Sequence, residues 1–159
     1  MAASRLIDVA NTIVGMLNAD VAALDENGGA ISPVLFTAKR TYAAEYTNVQ
    51  LKTLQVDVRH PVVSTAEESR GGNEDTYGIE IALQQVVDKT NLTAIDALVK
   101  LSRRAARLFP ANSVIFGGVI NQTDGVQVIE NLHSVFDPTK LAANQFYSLI
   151  SLALREFTA

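Results

Sequence analysis

The chain has 159 residues, of which 48% are apolar and 19% charged, and its net charge is −4. That length and balance fit one globular domain over residues 1–159 and argue against a disordered chain or two full domains. The mild acidity excludes a general attraction to nucleic acid, and the lack of cysteine excludes disulfide staples and thiolate metal sites.

Ser4 to Asn18 reads as the first helix, because Leu6, Ile7, Ala10, Ile13, Val14 and Leu17 recur at helical spacing. Ser4 is the expected N-cap and Asp8 lies near the positive end of the dipole. Asp8 and Asn11 also cut the apolar stretch, unlike a secretory signal, and no uncharged run reaches the roughly 20 residues of a membrane span. The expectation is a protein made in the cytoplasm, with no membrane partner.

Asp25–Gly29 is a turn cluster. Pro33–Tyr46 then reads as a long strand, with Val34, Phe36, Ala38, Tyr42, Ala44 and Tyr46 on one parity, interrupted by Arg40. Leu51–His60 is a second strand, in which Leu54, Val56 and Val58 alternate with Gln55, Asp57 and Arg59, and Pro61 ends or edges it. Asp75–Val87 is a third, with Tyr77, Ile79, Ile81 and Leu83 on one face. Such one-sided strands predict antiparallel neighbours, not a parallel sheet buried on both faces. Ser64–Asp75 holds no apolar residue larger than alanine, so a mobile polar hairpin loop is predicted over 64–75. A loop that long suggests a use.

Thr93-Ala-Ile-Asp96 resembles a capping box at the start of a helix that Pro110 stops after Phe109. Its apolar arc runs through Ile95, Leu98, Leu101, Ser102, Ala105, Leu108 and Phe109, and Lys100, Arg103, Arg104 and Arg107 share the opposite arc. Further strands are expected at Ser113–Ile120, where Gly117-Gly118 marks a bulge or bend, and at Val126–Ile129 after a turn at Asp124-Gly125. Phe146–Phe157 fits strand and helix patterns equally. The fold class is α+β: an antiparallel, one-sided sheet of about five strands, packed with two main helices.

Chemical motifs are lacking in the sequence. His60 and His133 belong to no metal spacing and read as surface or half-buried histidines. The glycine pairs at 28–29, 71–72 and 117–118 form neither a phosphate loop nor a dinucleotide fingerprint. No G-x-S-x-G elbow occurs. Glu67-Glu68 and Glu74-Asp75 lie in the most polar stretch, where the burial that raises a carboxyl pKa is least expected. The expectation is no enzyme, no metal and no cofactor. The interface candidates are Lys100, Arg103, Arg104 and Arg107 on the helix, and Glu67, Glu68 and Arg70 in the polar segment. The basic stripe reads either as a solvated helix face or as a docking surface for an acidic partner or a nucleic acid backbone.

Helix, long strand, strand, polar segment, strand, helix and final strands, at this length, resemble the neck and tail-terminator proteins of tailed bacteriophages, also called tail-completion, head-to-tail joining or minor tail proteins. The resemblance is carried by Arg5-Leu-Ile-Asp-Val-Ala10, Lys39-Arg-Thr-Tyr42, Val56-Asp-Val-Arg-His-Pro61, Asp75-Thr-Tyr-Gly-Ile-Glu-Ile81 and Asp96-Ala-Leu-Val-Lys-Leu101, and spans most of the chain. Departures are the extended stretch 111–122 and the turn Pro138-Thr-Lys140. The resemblance implies a structural virion protein, assembled in the host cytoplasm, that forms a ring with copies of itself, commonly a hexamer. The ring would terminate the tail tube and join it to head-side connector and stopper proteins, while genomic DNA passes the lumen without specific binding. It favours a strand for 146–157. The alternative is a small α+β ligand-binding domain or enzyme using the sheet face, with Tyr42, Tyr46 and Tyr77 lining a pocket. A nucleic-acid-binding module resting on the basic stripe is a third reading.

Overall fold

The computed structural model describes residues 2–21, 36–42, 45–68, 72–116 and 126–158. The turn cluster at 25–29, Arg70, Gly117-Gly118 and Asp124-Gly125 lie outside them.

Helix α1 runs Ala2–Met16 and passes into a π turn, Leu17–Val21. It starts before Ser4, which therefore lies in the first turn instead of capping it. Val9, Ala10, Ile13 and Leu17 are fully buried, as their spacing predicts. The π turn places Asn18 beside the next strand. Its Oδ1 accepts from Ala38 N at 2.7 Å and its Nδ2 donates to Ala38 O at 3.2 Å, as a neighbouring backbone would.

Strand β1 is Ala38–Thr41, β2 is Gln55–Glu68 and β3 is Gly72–Val86. Helix α2, Leu92–Arg107, follows. Then come β4, Val114–Phe116, and β5, Val126–Ser134. A short helix α3, Pro138–Ala142, leads into β6, Gln145–Thr158. The six strands form one sheet in the order β1-β2-β3-β6-β5-β4. The α+β class therefore stands, but the sheet is mixed, because β1 runs parallel to β2 while the other pairs are antiparallel.

Of the strand expected over Pro33–Tyr46, residues 33–35 and 43–44 lie outside the described set, and among the described residues only Ala38–Thr41 is strand. A parallel neighbour needs a connection that crosses a sheet face. The chain leaves the sheet at Tyr42, which is 68% exposed, and returns through a 3-10 turn at Gln50–Lys52.

Within the segment 64–75, residues 64–68 and 72–75 are paired strand where a loop was expected. Ser64 pairs with Thr76, Ala66 with Glu74 and Glu68 with Gly72. Polar side chains do not prevent this, because the ladder itself satisfies the backbone and β3 is backed by β6 out to Asn73 opposite Thr158. Thr65 and Thr76 are also good strand formers.

Phe146–Phe157 lies in β6, near the middle of the sheet. Phe146, Ser148, Ile150, Leu152 and Leu154 are all buried on one parity. The four apolar ones join Val56, Val58, Ile79, Ile81, Leu83, Val126 and Val128 with the apolar faces of both helices in a single core cluster. Helix α2 is capped two residues earlier than its capping pattern at Thr93 suggested. Asn91 is the cap, its Oδ1 accepting from Ala94 N at 3.2 Å. The expected turn at Pro138 is the opening of α3, where Asp137 Oδ1 accepts from Thr139 N at 2.9 Å and Pro138 occupies the first turn.

Candidate functional site

The basic stripe sits where helical spacing places it. Ile95, Leu98, Leu101, Ser102 and Ala105 face the sheet and are buried, so Lys100, Arg103 and Arg107 are turned outward and exposed, with Arg104 half-buried at the edge. Cations in the last turns also suit the negative end of the helix dipole. That end is held by β5. Asn131 Nδ2 donates to Ala106 O at 3.0 Å, a carbonyl that also accepts from Phe109 N, and to Phe109 O at 2.8 Å just past the helix.

Glu67 and Glu68 occupy the last rungs of β2, opposite Asn73 and Gly72. They are on a different element from the stripe, so the structure does not gather the sequence-predicted interface residues into one site. The same end of the sheet carries Glu74, Asp75 and Glu156, and Asp75 is directly opposite Glu156.

Two buried polar clusters had no sequence signal. The first joins α2 to β5 and β6. His133 Nε2 lies 3.1 Å from Ser102 Oγ and 3.3 Å from Ser148 Oγ. Ser148 Oγ also donates to Ser134 O at 3.2 Å. Both serines are fully buried. A register shift between Val128 and Glu130 makes this possible. Val126 and Val128 face the core, and the extra residue then re-aims Asn131 and His133 toward α2. Burial, and then the neighbouring Arg103 charge, hold the imidazole below its ordinary pKa. A serine beside a histidine has the composition of a nucleophile and base, but hydroxyls with no exposed surface cannot meet a substrate. The cluster fastens a helix to a sheet.

The second cluster lies on the opposite face. Asp57 alternates with Val56 and Val58, yet it is fully buried, because the chain between β1 and β2 folds over it. Tyr46 Oη donates to Asp57 Oδ1 at 2.5 Å, and Lys39 Nζ stands 4.9 Å from the Tyr46 ring centre. Asp57 Oδ2 is buried without a hydrogen-bond partner. Burial, followed by the hydrogen bond to Asp57, pushes the Tyr46 hydroxyl well above its ordinary pKa. Tyr42 turns to Arg40 instead, whose Nη1 donates to its hydroxyl at 3.2 Å. The side chain of Tyr77, the third tyrosine of the suggested pocket, is outside the described set.

Among the described residues no group of three or more His, Asp or Glu side chains is placed to hold a metal ion, and no helix is long and apolar enough to cross a membrane. No family model matches the chain, and no curated protein matches its sequence.

Proposed function

We propose that the chain is a structural virion protein of a tailed bacteriophage, a subunit of a self-assembled ring at the neck. The ring, a hexamer in the pattern that the resemblance implies, terminates the tail tube and joins it to the head-side connector. The reading assigns the chain no reaction and no cofactor. Its observable support is the way the sheet ends. Beyond Arg59, β2 has a strand on one side only, and from Ile129 onward so does β5, among the described residues. These are two different edges on opposite sides of one sheet. Unlike edges favour head-to-tail contacts, which close into rings when the rotation between copies allows. The β5 side also exposes Ile129, Leu132 and Phe136, apolar surface that suits an assembly contact. A net charge of −4 suits a lumen that DNA passes without adhering.

Light scattering behind size exclusion, with electron microscopy of the protein mixed with purified tail tubes, tests this. Rings in solution, or tubes capped at one end, are expected. A strict monomer at high concentration that also leaves tubes uncapped overturns it.

A further inference from the structure

The two open edges of the sheet are stepped, and the steps match. Through the ladders, Ser134 is level with Leu149, Ala82 and Asp57, and Glu130 is level with Ala153, Gly78 and Val62. The open stretch of β5, residues 129–134, therefore lies level with the part of β2 that β1 covers, residues 56–59. The open stretch of β2, residues 62–68, begins past the register shift where that cover ends, and it lies level with the part of β5 that β4 covers. Val63 is level with Val128, whose N–H donates to Ser113 O at 2.8 Å. Among the described residues each edge is filled over one part and open over the other, and the open parts are of nearly equal length.

Both open stretches are held extended from their inner side. β3 backs residues 62–68 and is itself backed by β6 as far as Asn73 opposite Thr158, while β6 backs residues 130–134. Neither stretch contains a proline or a lysine, the residues that most often blunt an edge, and Ile129 and Leu132 on β5 are exposed apolar residues. β2 and β5 run in opposite directions, because three antiparallel pairings lie between them. A neighbour that faces the same way therefore offers its residues 62–68 antiparallel to residues 129–134.

We infer that residues 62–68 of one copy add as an antiparallel strand to residues 129–134 of the next, so that one sheet runs through successive subunits. Backbone carries the contact, since the joint gives the open N–H and C=O groups of both edges partners. The occupant is a second copy of this chain, because one subunit presents both halves of the joint, matched in length and direction, and a foreign strand on either edge leaves the other open. The neighbour has to slide by about five residues along the strands, about 17 Å, which sets β1 and β4 end-on to the joint instead of across it. The four strands β2, β3, β6 and β5 between successive joints span about 19 Å. A slide of that size per subunit inclines the strands by about 40° to the axis of a ring, within the range at which sheets close into barrels. The inference rests on the ring reading and specifies its interface.

The chain has no cysteine, so introduced pairs report the joint without background. Leu132→Cys is combined in one full chain with Ser64→Cys, Thr65→Cys or Ala66→Cys, which sample neighbouring registers. Oxidation of the assembled protein, in solution or on tail tubes, should give a ladder of covalent multimers in at least one combination and none with any single cysteine, because a disulfide needs Cα atoms about 4.4–6.8 Å apart. Leu132→Lys should lower the assembled fraction about tenfold or more, since a lysine on an edge strand opposes strand addition. Circular dichroism checks folding, and Leu132→Thr supplies a milder change where the lysine unfolds the chain. Wild-type rings with no ladder in any of the three combinations overturn this joint and leave the ring reading standing. A Leu132→Lys protein that assembles as the wild type does overturns it as well. Covalent dimers from Leu132→Cys alone overturn it in favour of β5 pairing with its own copy about a two-fold axis. A wild-type monomer with uncapped tubes removes both readings.

Discussion

On the helix-covered face of the sheet, His133 sits between two buried serines. On the opposite face, Asp57 sits beneath Tyr46. Both places bury polar atoms, and both use them to fasten a covering element to strands. The difference is charge. The inner cluster is a neutral ring nitrogen between hydroxyls, whereas the outer one is a carboxylate with a single hydrogen bond and one bare oxygen. An uncharged cluster costs little to bury and is damaged by gaining a proton. A carboxylate anchored by one phenol depends on that phenol keeping its proton. The two faces should therefore fail at opposite ends of the pH scale.

The largest expected effect comes from Tyr46→Phe. It deletes the one hydrogen bond that the Asp57 side chain receives among the described residues and leaves the carboxylate in place. Chemical denaturation should show a loss of about 2–3 kcal/mol, the range for a bond to a buried charged group. The same change should alter the alkaline limb. The Tyr46 hydroxyl titrates higher in the folded protein than its ordinary 10.0, so the stability it contributes is complete below pH 10 and falls as pH rises beyond it. A Tyr46→Phe protein whose melting temperature falls above pH 10 as steeply as the wild type would break the comparison on its outer side.

Next in size is Asn131→Ala. Its amide holds one carbonyl in the last turn of α2 and one just beyond it, and removing it should cost about 1–2 kcal/mol. Hydrogen exchange should show the loosening first at the last turn of α2. If protection is lost evenly along the helix, Asn131 is not a local clasp and the inner cluster must be reassigned.

How much of this was legible beforehand depended on whether a signal lay in one element or between two. The outward stripe Lys100, Arg103 and Arg107 follows from helical spacing alone, and the structure exposes all three. Val56, Val58, Ile79 and Ile81 likewise declared a core face by alternation, and all are buried. Asp57 carried the same alternation and read as a wet-face residue. Its burial comes from the chain that crosses above it, a tertiary fact with no local pattern. The parallel placement of β1 is of the same kind. His133 read as a surface or half-buried histidine after the strand and is half-buried, but its serine partners left no trace, because one extra residue at the β5 bulge sets its direction and the bulge has no glycine to mark it. The hairpin at 64–75 was read as a loop because its side chains are polar. What orders it is the ladder to β3 and, through β3, to a strand some eighty residues later.

The inner cluster has a smaller, acid-side signature. The His133 imidazole is held below its ordinary pKa in the folded chain, so the unfolded chain binds the proton first. Its contribution is complete above about pH 6.5, falls as pH drops through the window between the unfolded and folded values, and levels off below it. Nuclear magnetic resonance of the ring protons should show a midpoint below that of a free histidine. Replacing His133 with Gln should flatten the slope of melting temperature against pH just below the ordinary histidine value. A midpoint at or above the ordinary value would mean that the ring is charged in place and that the serines do not keep it neutral.

The smallest effect separates two ways of holding the outer cover. Tyr46 offers its hydroxyl to Asp57 and its ring face to Lys39, whose ammonium lies 4.9 Å from the ring centre at an exposed site. A cation over a ring in such a place contributes about 0.5–1 kcal/mol, against two to three times that for the bond to the buried carboxylate. Lys39→Ala should therefore cost well under half of what Tyr46→Phe costs, and the double variant should show nearly the sum, because the phenylalanine ring still offers a face to the lysine. Equal costs for the two single changes would shift the anchoring of segment 45–54 from the carboxylate to the ring face. The alkaline limb would then belong to some other group, and the opposition between the two faces would lose its chemical basis.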